Sequence, residues 1–427
     1  MVDFSIPEPL ASVRDLIHQL ALHKLRPISR EFDEREHEIP WDLVHELHRM
    51  GKVMGGGVFP GAGDPAARGP EGGGDGAGAS TAFLMALVAE ELAWGDEGLF
   101  PVIPVPGLGG AAVEAAGTPE QRKRWLSRFP GEKPTWAAMA MTEPGSGSDT
   151  ASIRTTARRE GGEWVLNGEK IFCTNGQLAL EKSSGFVVVW ARILPAGAKS
   201  LDEVQDHAGM RGFVVPAGTP GARVTKVEKK MGLRGWNTVS IILEDVRLPL
   251  ENMLGEPLPE TPSPRASSGF RGAMATFDAT RPQVSALAIG VGRAALDFAR
   301  ELLAKNGVVP RYGLSPVRLS GVEREFIRAE ADLHAARLLN WRACWLLDRK
   351  VPNNLEAAMA KAKAGQAATE AALRCAELAG PLGYSRKHLL EKWVRDAKLN
   401  DIGEGTAQVC RLVIARRILG YSREQLT

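Results

Sequence analysis

The feature that most constrains the fold is a double change of hydrophobic period along the 427 residues. Residues 1–134 place apolar side chains mainly at helical spacing, residues 135–254 form short runs rich in valine and isoleucine, and residues 266–427 return to helical spacing. A chain of this length is also too long for one ordinary core. We therefore expect three domains with these bounds: an N-terminal helical domain, a middle β domain and a C-terminal helical domain.

Local signals add detail to the N-terminal domain. The stretch from 83 to 94 is apolar nearly all round, which predicts a helix buried on most sides. Thr118 followed by Pro119 is typical of a helix start, with the threonine as N-cap. Residues 61–80 are rich in glycine, alanine, aspartate and proline, so we expect a surface loop there. The prolines between 98 and 110 should interrupt a helix.

The other two domains follow from the same patterns. We expect an antiparallel, barrel-like β domain with a hairpin turn at Asn167–Gly168 and a loop at 195–209. The C-terminal pattern predicts four long antiparallel helices packed as a four-helix bundle. The fold class is therefore mainly α with a central β domain. The clearest strands run over residues 163–176, 185–194, 211–216 and 239–248.

Charge and composition exclude several classes of function. The net charge is only +2, which gives no indication of nucleic-acid or anionic-membrane binding. No apolar run reaches the roughly 18 residues of a membrane helix, and the first residues lack the pattern of a secretory signal. The cysteines lie far apart and form no metal-ligand pattern, so we expect no metal and a reduced, cytoplasmic setting. They are Cys173, Cys344, Cys375 and Cys410.

Two stretches of the β domain have the composition of a ligand site. TEPGSGSD, residues 142–149, mixes glycines that let a backbone approach a ligand with hydroxyls that can donate hydrogen bonds. An ordinary glycine- and serine-rich turn is an equally good interpretation. Phe172 and Thr174 should share one face of a strand, where they would stack on and bond to a planar cofactor. The alternative is that Phe172 is a core aromatic.

A third stretch, RDAKLNDIGEGTAQ, residues 395–408, places Glu404 between two glycines within a helical region. Each glycine costs a helix interior about 1 kcal/mol relative to alanine. Gly403 and Gly405 therefore indicate a bend or a close approach to a ligand. The alternative is a solvated helix carboxylate.

These stretches together resemble the acyl-CoA dehydrogenase family of flavoproteins, its medium- and short-chain members in particular. The resemblance runs from about residue 8 to residue 420 and keeps the order of the helical zone, TEPGSGSD, NGEKIFCTNG, MGLRGWNTVSIILEDVRLP, FDATRP and RDAK–IGEGTAQ. The combination of these motifs is specific, although each is weak alone.

The resemblance implies an activity and its partners. Members desaturate an acyl-CoA thioester in fatty acid β-oxidation: a glutamate takes the α-proton, hydride leaves the β-carbon for FAD, and electrons pass to electron-transfer flavoprotein. FAD lies between the β domain and the C-terminal helices, and most members are homotetramers. We accordingly expect an FAD-dependent oxidoreductase that is a homotetramer or homodimer.

The resemblance also implies roles for individual residues. Glu404 matches the catalytic base, and its backbone N–H matches a donor to the thioester carbonyl. Arg281 could instead be a structural partner for a carboxylate. The residues matching cofactor contacts are Met141, Thr142, Gly147, Ser148, Phe172, Thr174, Thr406 and Gln408. Those matching substrate contacts are Ser148, Asp278, Thr280, Arg281 and Gly405.

The chain departs from the family pattern in two segments that hold FAD across subunits in other members. In NGVVPRYGLSPVRLS, residues 306–320, Val309 stands where an arginine is usual, so Arg311 would have to substitute. In AGPLGY, residues 379–384, a proline and a leucine replace part of a glycine-rich turn, and Glu377 stands where a glutamine is usual. Whether FAD is bound across subunits is therefore open.

Two features bear on the acyl group. Gly403 stands where enzymes for straight chains often carry tyrosine, and prolines 101, 104 and 106 lie in the segment that forms the pocket floor. Together they favour a pocket for a branched, cyclic or aromatic acyl group, unless neighbouring side chains fill the space. Two other functions remain as alternatives: a flavin-dependent monooxygenase or oxidase, whose members generally lack the glutamate, and a catalytically silent binding or assembly protein.

Overall fold

The computed structural model describes residues 5–53, 81–195, 198, 201, 209–258, 268–421 and 425. Across them the chain has a curled β-sheet between two helical parts, which confirms the expected fold class. The predicted loop at 61–80 and most of the predicted loop at 195–209 lie outside the described residues.

The N-terminal part is helical, and its helix α4 is buried as its composition predicts. All residues from Ala86 to Asp96 are buried, including the carboxylates of Glu90 and Glu91, which pair with Arg293. Thr118 caps its helix within a capping box completed by Gln121. The helices are α1 (Glu8–Leu20), α2 (Ser29–Glu34), α3 (Trp41–Val53), α4 (Thr81–Asp96), α5 (Gly107–Ala116) and α6 (Pro119–Leu126).

The prolines between 98 and 110 do interrupt the helical path. After α4 the chain forms a short 3-10 helix, Glu97–Val102, with Pro101 inside it, and α5 begins only after Pro106. Asn175 donates from Nδ2 to the Pro101 carbonyl at 2.8 Å, which ties this segment to the β domain.

The β domain is one seven-stranded sheet with the order β1-β4-β2-β3-β7-β6, and β5 pairs with β4. It differs from the expectation because it is mixed: β4 runs parallel to both β1 and β2. Hydrophobic alternation predicts which face a residue takes but carries no information on strand direction. The strands are β1 (Ala137–Ala140), β2 (Thr156–Glu160), β3 (Glu163–Thr174), β4 (Phe186–Ile193), β5 (Met210–Pro216), β6 (Ala222–Val227) and β7 (Thr238–Pro249), and a short helix α7 (Gly176–Leu180) follows β3.

The expected hairpin turn at Asn167–Gly168 is wrong. Both residues lie inside β3, where the register against β7 shifts, and the turn between β2 and β3 falls on the next glycines upstream, Gly161 and Gly162. Gly168 has a φ of 152°, and a Cβ there would lie 2.5 Å from Thr155 Oγ1. The Asn-Gly pair therefore serves a bulge with close backbone approach, because the residues that suit turns also suit bulges.

The C-terminal part contains the predicted bundle. Small residues let its helices approach closely: a Cβ on Gly365 would lie 2.4 Å from the Asn400 carbonyl, and one on Gly290 would lie 2.2 Å from the Glu90 carbonyl. The second contact joins the bundle to α4. The helices are α8 (Ser268–Lys305), α9 (Gly321–Asp348), α10 (Asn354–Ala379), α11 (Pro381–Tyr384), α12 (Leu390–Ala397) and α13 (Ala407–Leu419).

A buried ionic cluster connects all three parts. Lys392 of α12 lies 2.9 Å from Asp96 Oδ2 at the end of α4 and 2.6 Å from Asp396 Oδ2. The other oxygen of Asp396 accepts from the backbone N–H of Leu233, which precedes β7, at 2.6 Å. Burial raises the pKa of the neighbouring Glu97 well above its ordinary value.

Two further properties of the described residues concern membranes and metals. No single helix there is long and apolar enough to cross a membrane, whereas the bent pair Thr81–Val102 and Gly107–Ala116, with an 81° break, satisfies length and composition jointly. In the same residues, no three or more His, Cys, Asp or Glu side chains are grouped as metal ligands.

Lys392→Met should destabilise the fold by about 3–5 kcal/mol, because it leaves Asp96 and Asp396 buried without their cation. The measurement is the free energy of unfolding in urea at pH 7. Lys398→Met is the matched control, since Lys398 forms an exposed pair with Asp401 and such pairs contribute about 1 kcal/mol or less. Equal losses of unfolding free energy for the two substitutions would show that the buried ionic cluster of Lys392 does not stabilise the fold.

Candidate active site

The Glu404 turn connects two helical segments and has an uncommon backbone. After α12 the chain forms a 3-10 turn, Lys398–Asp401, and α13 begins after Thr406, whose hydroxyl accepts from the backbone N–H of Val409 at 3.2 Å. Glu404 has a φ of 57° and Gly405 a φ of 93°. A left-handed non-glycine residue costs about 1–3 kcal/mol, and such residues are enriched at active sites.

The two glycines on either side of Glu404 differ in what their backbone requires. Gly405 has a positive φ, which glycine adopts without strain. Gly403 does not, and a Cβ there would meet only Leu399, at 3.6 Å and beyond. The backbone would thus accept a side chain at 403.

The carboxylate of Glu404 is enclosed by protein although the residue as a whole is half-buried. Thr280 on α8 donates from its hydroxyl to Glu404 Oε2 at 2.8 Å. Desolvation raises the pKa of Glu404, while the Thr280 hydrogen bond and the charges of Arg281 and Lys361 act in the opposite direction. A carboxylate with a raised pKa accepts a proton more readily, as a general base requires.

Arg281 stabilises the Glu404 turn through the Glu404 carbonyl. Its Nε donates to the Glu404 carbonyl at 3.4 Å, and its Nη1 donates to Asp278 at 2.8 Å. Asn354 donates from Nδ2 to both oxygens of Asp278, at 2.9 and 3.1 Å. Arg281 is thus a structural partner of a carboxylate, as the sequence left open, and Asp278 contacts Arg281. The predicted substrate contacts of both residues stay predictions.

Glu404 also presents a free backbone donor. Its N–H has no hydrogen-bond acceptor among the described residues, whereas the preceding N–H groups of Ile402 and Gly403 both bond to the Leu399 carbonyl. One residue therefore carries an enclosed carboxylate and an available N–H. That combination can accept a proton from a carbon acid and donate to the neighbouring carbonyl oxygen.

The second half of the site lies on the β domain. Phe172 is 59% exposed and has a φ of 55°, at the register shift of β3 between Lys170 and Cys173. The interpretation of Phe172 as a core aromatic is therefore wrong. Thr142 and Thr174 are half-buried, and the backbone N–H of Ile171 donates to the Thr142 carbonyl at 2.8 Å. An outward aromatic ring beside hydroxyls fits a planar, polar-edged group such as a flavin ring.

A buried ion pair that sequence reasoning missed holds the TEPGSGSD loop. Lys170 donates from Nζ to Glu143 at 2.7 Å and to the Met141 carbonyl at 3.0 Å, and Thr155 donates to Glu143 through both its N–H and its hydroxyl. Although burial acts to raise it, the Lys170 charge and these bonds hold the pKa of Glu143 below its ordinary value. The carbonyl of Met141 is thus occupied within the protein.

The rest of this loop is open. Gly145, Gly147 and Ser148 are exposed, whereas Ser146 is buried and its hydroxyl donates to the Asp149 carbonyl. A cavity of about 280 Å³ lies against the loop, and its lining includes Glu143, Gly145, Ser146, Arg154, Gly168 and Glu169. The open backbone of Gly147 and the exposed hydroxyl of Ser148 suit phosphate or hydroxyl groups of a ligand.

The remaining predicted contacts are partly engaged elsewhere. Thr406 acts as the N-cap of α13, and Gln408 is exposed. Arg311 donates to Glu323 from Nε at 2.7 Å and from Nη2 at 2.8 Å, so its guanidinium is paired within its own chain. Its suggested role toward FAD of another subunit stays a prediction.

Lys361 is a second residue that sequence reasoning missed. It lies on α10, is 1% exposed, and its Nζ has no hydrogen-bond partner among the described residues. The only signal in the sequence is a lysine between two alanines, Ala360 and Ala362, in a helix that otherwise packs through small residues.

Comparison with known proteins places these observations in a family context. Family models of the acyl-CoA dehydrogenase N-terminal, middle and C-terminal domains match residues 8–131, 138–246 and 267–419. The short-chain specific acyl-CoA dehydrogenase of Rattus norvegicus is 33% identical over 417 residues, which cover 97% of this chain and 91% of that protein.

Solved structures give the same result. Butyryl-CoA dehydrogenase from Megasphaera elsdenii superposes with a TM-score of 0.79 and 28% identity, covering 98% of this chain and 100% of that one. A glutaryl-CoA dehydrogenase from Mycobacterium smegmatis in complex with FADH2 has a TM-score of 0.75 and 22% identity, covering 97% and 96%, which shows a shared fold.

Thr280→Val should destabilise the protein in a pH-dependent way. A hydrogen bond to a charged group contributes about 1.5–3 kcal/mol, so the loss should approach this size where Glu404 is ionised and shrink where it is protonated. Because the folded pKa of Glu404 is raised, its ionisation already lowers stability as pH rises from the ordinary glutamate value to the folded one, and the variant should steepen this fall.

The measurement is the urea unfolding free energy of both proteins from pH 4 to pH 8. Thr276→Val is the control, because the buried Thr276 hydroxyl donates only to the Gly272 carbonyl, at 2.9 Å. The same pH dependence in both variants would show that Thr280 does not act on the Glu404 charge.

Proposed function

Because the chain belongs to the acyl-CoA dehydrogenase family, we propose that it desaturates an acyl-CoA thioester between Cα and Cβ with Glu404 as the base. It is an FAD-dependent oxidoreductase that acts on acyl-CoA. The relatives named above are dehydrogenases of short-chain, butyryl and glutaryl thioesters, which support this function rather than the oxidase or silent-protein alternative.

The proposal rests above all on the two functional groups of Glu404. The carboxylate takes the α-proton and becomes a carboxylic acid, while the unpaired N–H of the same residue donates to the thioester oxygen, where negative charge develops. The left-handed backbone at Glu404 and Gly405 turns both groups out of the helical path. The strain of this turn is opposed by the Arg281 bond to the Glu404 carbonyl.

Thr280 and Arg281 prepare the base rather than react. The Thr280 hydroxyl orients one carboxylate oxygen, which leaves the other available for the proton. Arg281 is paired with Asp278, so it supports the turn without forming an ion pair with the base. We propose that Ser148 and Gly405 line the path of the thioester and its pantetheine arm.

The residues proposed to hold FAD lie on the β domain and at the start of α13. Phe172 would stack on the ring, and the hydroxyls of Thr142 and Thr174 would bond its polar edge. When bound, FAD supplies the acceptor for the electron pair released as the β-carbon loses hydrogen. The other proposed contacts are Met141, Gly147, Ser148, Thr406 and Gln408. Electron-transfer flavoprotein as acceptor, a homotetramer or homodimer, a role in β-oxidation, the cytoplasmic location and the domain bounds 1–134, 135–254 and 266–427 stay predictions.

For the acyl group we propose a short chain with extra width near Cα. The short-chain and butyryl relatives support limited length. The width is supported by Gly403, where a Cβ would meet only Leu399. A branched or ring-bearing acyl group would fill this space.

Glu404→Gln should lower the rate of flavin bleaching by acyl-CoA about 10²–10⁴-fold, because a general base contributes about this much. The measurement is anaerobic stopped-flow absorbance of the FAD-loaded protein. Glu370→Gln is the control, since Glu370 is exposed on α10 and bonds only to Gln366. Bleaching by the Glu404 variant at the normal rate would refute the assignment of the base.

Gly403→Tyr should discriminate acyl groups by width. The backbone tolerates a side chain there, so the variant should fold, and its ring should fill the space next to Glu404. We expect bleaching by branched or aromatic acyl-CoA to slow at least about tenfold relative to butyryl-CoA, since misplacement of the reacting atoms is costly. Equal effects on both substrates, or turnover of linear acyl-CoAs alone by the parent protein, would contradict the wide pocket.

A further inference from the structure

We propose that Lys361 is the buried counter-cation of Glu404, a positioning residue that keeps the base ionised without forming a hydrogen bond to it. The inference rests on the proposed function of Glu404. It begins with a contrast among the buried lysines of the described residues. Lys170 and Lys392 both donate to buried carboxylates, Glu143 and Asp396 respectively. Lys361 is as deeply buried, at 1% exposure, but its Nζ has no partner.

The surroundings of Lys361 make this arrangement unusual. Its neighbours on α10, Ala358 and Ala362, pack against Ala407 and Cys410 of α13. One turn further along, Gly365 lies against the backbone of residues 400 and 401. Lys361 therefore lies on the part of α10 that faces the Glu404 turn. An ammonium group in apolar surroundings is costly unless it is paired, and most lysines of this kind are. An unpaired one therefore requires an explanation, and the charges around it supply one.

The charged and titratable groups that face Lys361 come from every element around it. Cys410 lies on α13, Asp401 on the 398–401 turn, Glu404 on the turn that follows, and Arg281 on α8. Arg281 is paired with Asp278 at 2.8 Å, and Asp401 is paired with Lys398 at 2.9 Å.

After these pairings, Lys361 and Glu404 are the two charged groups of this neighbourhood that lack an ionic partner at contact distance among the described residues. The charge of Lys361 acts on the pKa of Glu404 after that of Arg281, and Glu404 acts on the pKa of Lys361 after Cys410 and Asp401. Burial lowers the pKa of Lys361 to about 8, so at neutral pH it is predominantly a cation. The base site is electrically balanced only when both groups are charged.

A cation held near the base but out of contact suits proton abstraction. A direct ion pair would occupy carboxylate oxygens that must receive the α-proton and would lower the basicity of Glu404 strongly. A charge that acts through low-dielectric protein without contact still stabilises the carboxylate, because Coulomb energies are larger there than in water. Without it, desolvation would leave Glu404 protonated over more of the working pH range.

The first test is the pH dependence of flavin bleaching at low acyl-CoA concentration, which reports groups of the free enzyme. In the parent protein the rate should fall on the acid side with the pKa of Glu404. Lys361→Met should move this limb upward by about one pH unit, since a nearby opposite charge shifts a carboxyl pKa by about 1–3 units. Lys363→Met is the matched control, because Lys363 lies on the same helix but pairs with Asp332 at the surface.

The outcomes separate the two proposals. If acyl-CoA does not bleach the flavin of the parent protein, the proposed function fails. If the parent bleaches and the limb of the Lys361 variant stays in place, the function stands and the counter-cation is refuted. Lys361→Gln serves as a second neutral variant if Lys361→Met does not fold.

The second test does not depend on activity. It is a double-mutant cycle in urea unfolding at pH 7 on the FAD-loaded protein, with Lys361→Met, Glu404→Gln and the double variant. Each single change leaves one buried charge without its counterpart, whereas the double change removes both. The double variant should therefore be more stable than the sum of the single effects predicts. Additive effects would overturn the coupling between Lys361 and Glu404.

Discussion

The buried contact of Lys392 with Asp96 and Asp396 is the interaction on which the rest of the architecture depends. The cluster contacts the end of α4, helix α12 and the backbone before β7. One ammonium group and its carboxylates therefore connect the N-terminal helices, the bundle and the β domain. The Glu404 turn begins shortly after α12 ends. Its position relative to α8 is therefore set by this cluster, and the hydrogen bond between Thr280 and Glu404 requires that position.

Three buried lysines show how burial is used for different purposes. Lys392 organises the packing of the three parts, and Lys170 secures the start of the TEPGSGSD loop through Glu143. Both are paired with buried carboxylates, as buried charges usually are. Lys361 lacks such a partner and faces the one carboxylate whose reactivity a direct bond would suppress. The contrast suggests that stability is given up at Lys361 for the reactivity of Glu404, a trade common at functional sites.

Much of the fold follows from local patterns. The helix start at Thr118, the buried helix α4, the interruption by prolines and the strands β3, β4, β5 and β7 all agree with the sequence, because capping chemistry and hydrophobic period act over a few residues. Local patterns did not predict that β4 pairs in parallel with β1 and β2, nor that Asn167–Gly168 forms a bulge rather than a turn. Strand direction and bulges depend on which distant segment lies alongside.

The same division holds for the site. The sequence by itself determined the element types and, through the combined motifs, the position of Glu404 and the residues expected around it. The tertiary structure decided which groups act on that carboxylate. The exposed ring of Phe172, the bonds of Thr280 and Arg281 to Glu404, and the place of Lys361 on the part of α10 that faces the Glu404 turn depend on segments far apart in the chain. Charge balance in a low-dielectric interior is a property of that assembled neighbourhood, so no local pattern can encode it.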